Sequence, residues 1–428
     1  MTEAAGEAGR ARPGSHEHLT PIDMDEKLDD QVTFPDGGTR AWLVAFGNAG
    51  VMFCTLGYVN SWGVYQAYYE SHQLSDKSSS AISWIGSLQV FFVFAGGLVG
   101  GPLFDRYGAK IIRPAILVYV FAIMMTSLCK EYWQFMLAQG LLGGIANGMT
   151  MSPAMASTPQ YFDKKRGAAM GIAIAGSSLG GVVLPIVMGK MLYSSLGFGW
   201  SVRVIGFIFL AVLGFSGAVI RARLPPRDSR YLLPSAFKEP LYDTLIVATF
   251  FMVLGLFIPI FFLPTYAESY GMSSHLASYL VAILNAASLP GRVLPGILSD
   301  KFGRLNMLAA AGVSSGILIF CWQKVTTNAS IIVFAALFGF CSGAIVSGVS
   351  VGFASCPRSP QDIGTYMGMG LSIGAVAALI GPPINGALVN HYHGFEQVSY
   401  FSGALTLFGS FVAFFAKAAT PEGLFAKV

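Results

Sequence analysis

Charge is scarce in this sequence. Only 11% of its 428 residues are Asp, Glu, Lys or Arg, against about 25% in an ordinary soluble domain. A water-soluble core does not explain that deficit, because surface-to-volume scaling leaves any chain of this size with a large wetted surface. Metal-ligating clusters are missing too. The five cysteines, Cys54, Cys129, Cys321, Cys341 and Cys356, show no ligand or redox spacing and read as small buried residues. The six histidines fall in tails and connections. No phosphate-cradling loop and no nucleophile triad occurs, so an enzyme is the least favoured class and no cofactor is expected. The first apolar run starts only near Trp42, so no cleavable leader is expected.

Apolar residues and glycine fill the space left by charge: 54% of the chain is hydrophobic and 51 residues are glycine. A lipid solvent accounts for both. A spanning helix needs about 20 mostly apolar residues, and small residues let such helices pack closely. By that measure twelve spans run near 42–65, 81–104, 112–129, 134–158, 167–192, 200–220, 243–266, 277–298, 307–323, 331–353, 366–389 and 400–419. Residues 1–40 and 421–428 read as cytosolic tails, the first of them disordered.

The cations orient the chain, since short loops rich in Lys and Arg stay cytoplasmic. One set of alternate connections holds Arg106, Lys110 and Arg113, then Lys164, Lys165 and Arg166, then Arg221, Arg223, Arg227, Arg230 and Lys238, then Lys301 and Arg304, then Arg358. The opposite set holds Lys77, Lys130, Lys190, Arg203 and Lys324. Both termini are therefore placed in the cytosol. The net charge of +4 follows from this placement and carries no nucleic-acid signal.

An internal repeat sets the architecture. Gly101, Asp105, Arg106 and Gly108 recur 195 residues later as Gly296, Asp300, Lys301 and Gly303, followed by Arg304. Met170-Gly171 and Pro185 recur 197 residues later as Met367-Gly368 and Pro382. Two echoes at nearly one offset mean two related six-span units, 41–220 and 241–420, joined by a basic linker over 221–240. An Asp at a helix end can meet a basic side chain or the positive N-terminus of a neighbouring helix. Asp105 and Asp300 are read as halves of a conformational latch, with the glycines permitting tight turns. The competing reading of the cations, plain topology, applies to Arg106, Lys110 and Lys301.

These loops match the signature of the major facilitator superfamily. Asp36-Gly37-Gly38 before the first span, Tyr161-Phe162 and Ala175-Gly176-Ser177-Ser178 around the fifth, and Asn285, Ser288, Gly291 and Arg292 in the eighth resemble its monocarboxylate transporter family, particularly the fungal members. The resemblance implies an all-α membrane protein of twelve transmembrane helices in two six-helix pseudo-repeats, a central cavity and alternating access. Its best-known members carry lactate-like anions with a proton, using a lysine in helix one and an Asp/Arg pair in helix eight. Here the arginine is kept as Arg292, the Asp position holds Ser288, and the lysine's stretch reads Tyr58-Val59-Asn60.

Arg292 lies eight residues before Asp300, about 12 Å along a helix and so near mid-membrane. A charge there is costly unless it meets water, cargo or a partner. Asn285, Ser288 and Arg292 share a helix face. With Asn60 and Asn147 they form the candidate substrate site, though polar side chains in spans also serve as helix glue, as do Asn48, Gln89, Ser177, Ser178 and Asn385. Two readings stand. One is a carrier of a small monocarboxylate-like metabolite, by uniport or weakly proton-linked. The other is an efflux pump for a fungal secondary metabolite. Its partners are a small-molecule substrate and the bilayer of the plasma membrane. Topology is checked with Lys77→Cys and Lys110→Cys in a chain stripped of its other cysteines. An impermeant maleimide applied to intact cells should label only the first.

Overall fold

The computed structural model describes residues 34–227 and 231–419. The tails expected over 1–40 and 421–428 fall outside these residues apart from 34–40, as does Arg230. In hydrocarbon each backbone N–H and C=O must find its partner within the protein, and only helices and closed barrels achieve that. Helices are what form; there is no strand among the described residues.

In chain order they are α1 Gly38–Cys54, α2 Leu56–Val59, α3 Trp62–Ser71, α4 Ser79–Ala95, α5 Gly97–Tyr107, α6 Ile112–Thr126, α7 Tyr132–Phe135, α8 Gly143–Ser157, α9 Arg166–Leu192, α10 Gly197–Val219, α11 Pro240–Ser269, α12 Ser274–Phe302, α13 Arg304–Trp322, α14 Asn328–Ser355, α15 Ile363–Tyr392 and α16 Glu396–Phe415. Ten helical stretches among the described residues are long and apolar enough to cross a membrane. The sequence reading had twelve. Its second and third spans run together as one stretch, Ser80–Thr126, and its fourth, helical over 132–157, is less apolar.

Several helices are interrupted where the sequence suggested continuity. The first breaks at Thr55 and again at Asn60 and Ser61. A π-helical turn, Met136–Leu142, joins α7 to α8. The two repeated loops end their helices alike: Gly108 has φ 64° and Gly303 has φ 98°, conformations that a side chain resists.

The described residues from Pro35 onward pack as one unit. Two large apolar clusters fill it. One draws on residues between Val51 and Ile220. The other draws mainly on residues from Ala236 to Ala416, joined by Met52, Val93, Met151, Met155, Met170 and Ile174. Glycine sets the closest approaches. A Cβ on Gly101 would collide with the Gly364 carbonyl, and one on Gly296 would stand 2.5 Å from the Gly167 carbonyl. These contacts bring α5 against α15 and α12 against α9.

Two glycine substitutions separate close packing from helix propensity. A Cβ on Gly176 would strike the Ala49 backbone, whereas nothing lies within 4 Å of one on Gly189. Gly176→Ala should cost about 1–3 kcal/mol through overpacking. Gly189→Ala should be neutral or slightly stabilising. Melting of the purified variants in detergent checks the contrast.

Candidate functional site

A polar seam runs along one face of α12. Asn60 Nδ2 donates to Asn285 Oδ1 at 3.3 Å. One residue triplet further, Ser288 and Ser178 on α9 share a hydroxyl hydrogen bond of 2.7 Å. Arg292 Nη1 then donates to the Ile174 carbonyl at 2.9 Å and to the Ser177 hydroxyl. Arg292 is only 8% exposed, and its buried Nε has no partner among the described residues. The spacing of 285, 288 and 292 puts all three on one side of the helix, as the sequence implied. Their partners on α9, Ser177 and Ser178, come from a stretch singled out only as family signature and glue. Gly181 explains the closeness of Asn60 and Asn285, because a Cβ there would stand 2.8 Å from both side chains.

Asn147 does not join this seam. It is fully buried and donates to the Thr55 carbonyl at 3.4 Å and the Tyr119 hydroxyl at 3.3 Å. Tyr119 in turn donates to the Cys54 carbonyl at 2.8 Å. Both side chains thus serve backbone groups at the first break of the broken helix. Towards the N-terminus of α12, Gly63 and Ala67, which follow Asn60 at helical spacing, are exposed, and so are Ser274 and Ser278 before Asn285.

At the other end of α12 the repeated carboxylates cap helices distant in sequence. Asp300 Oδ1 accepts from the Gly167 N–H at 2.8 Å, and Oδ2 from the Ala168 N–H at 2.9 Å. Asp105 Oδ1 accepts from Gly364 N–H at 3.0 Å. Its Oδ2 accepts from the Thr365 N–H at 2.6 Å and the Thr365 hydroxyl at 2.7 Å. Gly167 and Ala168 open α9; Gly364 and Thr365 open α15. Each carboxylate therefore satisfies N–H groups that have no partner inside their own helix and sits at the positive end of its dipole. Of the two encounters weighed for these aspartates, the helix N-terminus is the one made.

The repeated cations divide. Arg106 and Lys301 are exposed, with Arg106 lying 5.8 Å from the ring centre of Tyr107. Arg304 instead donates to the Asp163 carbonyl at 2.6 Å and to the Ser355 hydroxyl at 3.0 Å. Arg166 donates to the Ala354 carbonyl at 3.1 Å. Asp36, quoted only as a family mark, accepts from the Asp163 N–H at 2.7 Å and so ties the chain's entry to the loop before α9. Asp163, Thr365 and Asp362 were missed. Nothing in their local sequence distinguishes them from loop polarity.

Removing the Asp300 carboxylate should leave two amides without acceptors. Asp300→Ala is expected to cost about 1–3 kcal/mol, read as a lowered melting temperature in detergent. Lys301→Ala, one residue away and exposed, should leave that temperature unchanged.

Comparison with known proteins follows this geometry. The family model described as Major Facilitator Superfamily matches residues 42–241 and 245–427. The aspyridones efflux protein apdF of Emericella nidulans is 57% identical over 392 residues, covering 91% of this chain and 80% of that protein. The agnestins efflux protein AgnL12 of Paecilomyces divaricatus is 41% identical over 391 residues, covering 91% of this chain and 90% of its own length. Among solved structures, FucP, a superfamily transporter in the outward conformation, superposes with a TM-score of 0.71 at 13% identity, covering 88% of this chain and 99% of that one. That likeness concerns the fold. The efflux names differ from the monocarboxylate-type carrier that the sequence reading put first. The chain belongs to the Major Facilitator Superfamily and is an integral membrane protein of that all-helical fold.

Proposed function

We propose that this superfamily member exports a small secondary metabolite by alternating access. The observation that carries the reading is 57% identity, over 91% of the chain, to a protein named for aspyridone efflux. The monocarboxylate-like carrier is the weaker reading. Ser288 stands where that family's carboxylate belongs, and its hydroxyl is engaged with Ser178.

The proposed architecture is twelve spans in two halves, 41–220 and 241–420, with 221–240 between them and both termini in the cytosol of a plasma-membrane protein. The stretch Ser80–Thr126 holds 47 residues, about 70 Å of helix, more than twice a hydrocarbon core of about 30 Å. It supplies two crossings, and 132–157 supplies another. The division of the apolar core near residues 220–236 supports the two halves.

Within this frame the seam belongs to one state of the cycle. The end bearing Asp105 and Asp300 is held by helix caps, and the proposed cargo path opens towards the N-terminal end of α12. A cargo entering there meets Asn60, Asn285 and Ser288 first. Arg292, held by α9 in this state, offers its remaining donors to a carbonyl-rich or anionic cargo when the seam parts. Among the described residues no Asp or Glu lies at matching depth in a span, which supports weak coupling to protons.

Metabolite profiles of cells with and without the protein test the reading: the cargo should accumulate inside cells that lack it. Arg292→Ala should lower export at least about tenfold, the loss of one charge-assisted hydrogen bond, while the protein still reaches the membrane. Arg292→Lys should recover little, because an ammonium lacks the planar two-pronged geometry. Normal export by a well-folded Arg292→Ala protein would remove this residue from the site.

A further inference from the structure

The two carboxylate caps share a plan but draw their cations from different places. On the Asp300 side, a second aspartate stands just before the capped helix: Asp163 precedes Gly167 and Ala168. Arg304, four residues after Asp300, reaches across to it. Its Nη2 donates to the Asp163 carbonyl at 2.6 Å and lies 3.5 Å from Oδ1. The same loop therefore supplies both the cap and a cation that holds the loop leading into the capped helix.

On the Asp105 side an aspartate again precedes the capped helix: Asp362, directly before α15 and two residues before Gly364, whose amide Asp105 caps together with that of Thr365. The position four residues after Asp105 is Ala109, not a cation. Lys110, its neighbour, is exposed. Yet Asp362 has a cation. Arg227, from the linker between the repeats, places Nη1 2.5 Å from Asp362 Oδ1. Arg227 is 6% exposed, far more enclosed than a linker arginine needs to be for topology alone. Its backbone N–H donates to the Asp105 carbonyl at 2.8 Å, and Nη2 donates to the Tyr231 carbonyl at 3.2 Å. Tyr231 donates to the Val99 carbonyl at 2.9 Å, fastening the linker to α5.

We infer that Arg227 is a positioning residue that replaces the cation missing from the first repeat, clamping Asp105 and Asp362 so that the Asp105 cap on α15 stays closed. The inference rests on the latch reading of Asp105. It gives the linker a role in the transport cycle: parting α5 from α15 requires Arg227 to release Asp362 or the Asp105 carbonyl. The two latches then differ in construction. In one, a cation from the aspartate's own loop, Arg304, joins Arg166 of the capped helix at Asp163. The other is closed through the connection between the repeats, so that movement of that connection reaches only one of the two.

Hydrogen exchange of the full-length protein in detergent reads this without knowledge of the cargo. In Arg227→Ala the amides of Gly364 and Thr365 should exchange about tenfold faster, the scale of one charge-assisted hydrogen bond, with Gly167 and Ala168 unchanged. Ala109→Arg introduced into the Arg227→Ala protein should restore slow exchange, because it returns the cation to the position Arg304 holds in the second copy. Should Arg227→Ala fail to fold, Asp362→Asn serves instead, with the same expected acceleration confined to Gly364 and Thr365. Unchanged exchange at these amides overturns the inference, as does equal acceleration at both caps, which would mean general loosening. Failure of Ala109→Arg to restore protection overturns the replacement. Asp105→Asn separates this from the latch reading. If Asp105→Asn speeds exchange and Arg227→Ala does not, the latch stands and the clamp falls. If Asp105→Asn also leaves exchange slow, both fall.

Discussion

The first N–H groups of every helix have no acceptor within that helix. At the rim of a membrane protein, where helices meet and water is partly excluded, leaving them unpaired is expensive. This chain meets the constraint at α9 and α15 with a carboxylate from a distant helix rather than with a local cap. Asp300 serves α9 and Asp105 serves α15. The consequence is long-range: each helix start is complete only while another helix stands beside it. A contact of this kind is a good reporter of conformation, because separating the helices exposes two or three polar groups at once.

Close approach makes that arrangement possible. The Asp105 and Asp300 side chains are short, so they reach the amides only where the backbones nearly touch. Gly101 against Gly364 and Gly296 against Gly167 supply that proximity. Further into the bundle the same α9–α12 contact becomes polar, through Ser178 with Ser288 and Arg292 with Ile174 and Ser177. Glycine contact, hydroxyl pair and guanidinium tie therefore lie along one interface. Rigid-body rocking would break them together, which suits an element with two discrete arrangements. The Asn60–Asn285 pair continues the same face of α12 towards its N-terminus.

Some candidate site residues were legible because their chemistry conflicts with their surroundings. Arg292 stands out in any apolar run, and 285, 288 and 292 follow a helical spacing. Asp105 and Asp300 stand out because acidic residues add nothing to the signal that orients insertion. Asn147 was drawn into the same set only as a polar residue within a span. Its partners, Thr55 and Tyr119, lie inside the bundle, and depth along a helix says nothing about which side a residue faces. Arg227 was legible only as one more cation in a basic linker. Its pairing with Asp362 spans 135 residues, and neither residue carries a local pattern that points to the other.

The sequence by itself determined the class of the molecule: hydrophobic runs of membrane length, cations on alternate connections, and a loop repeated at a constant offset. These are properties of the chain's composition and order, and a bilayer acts on them locally, one segment at a time. Which residue meets which was decided only in the tertiary structure. The break of the first helix at Thr55, the capping of α9 by Asp300 and of α15 by Asp105, and the recruitment of Arg227 where Ala109 leaves a gap all depend on distances between segments remote in sequence. Such distances are set by how closely glycine-bearing helices pack, and that is a property of pairs of helices, not of either one.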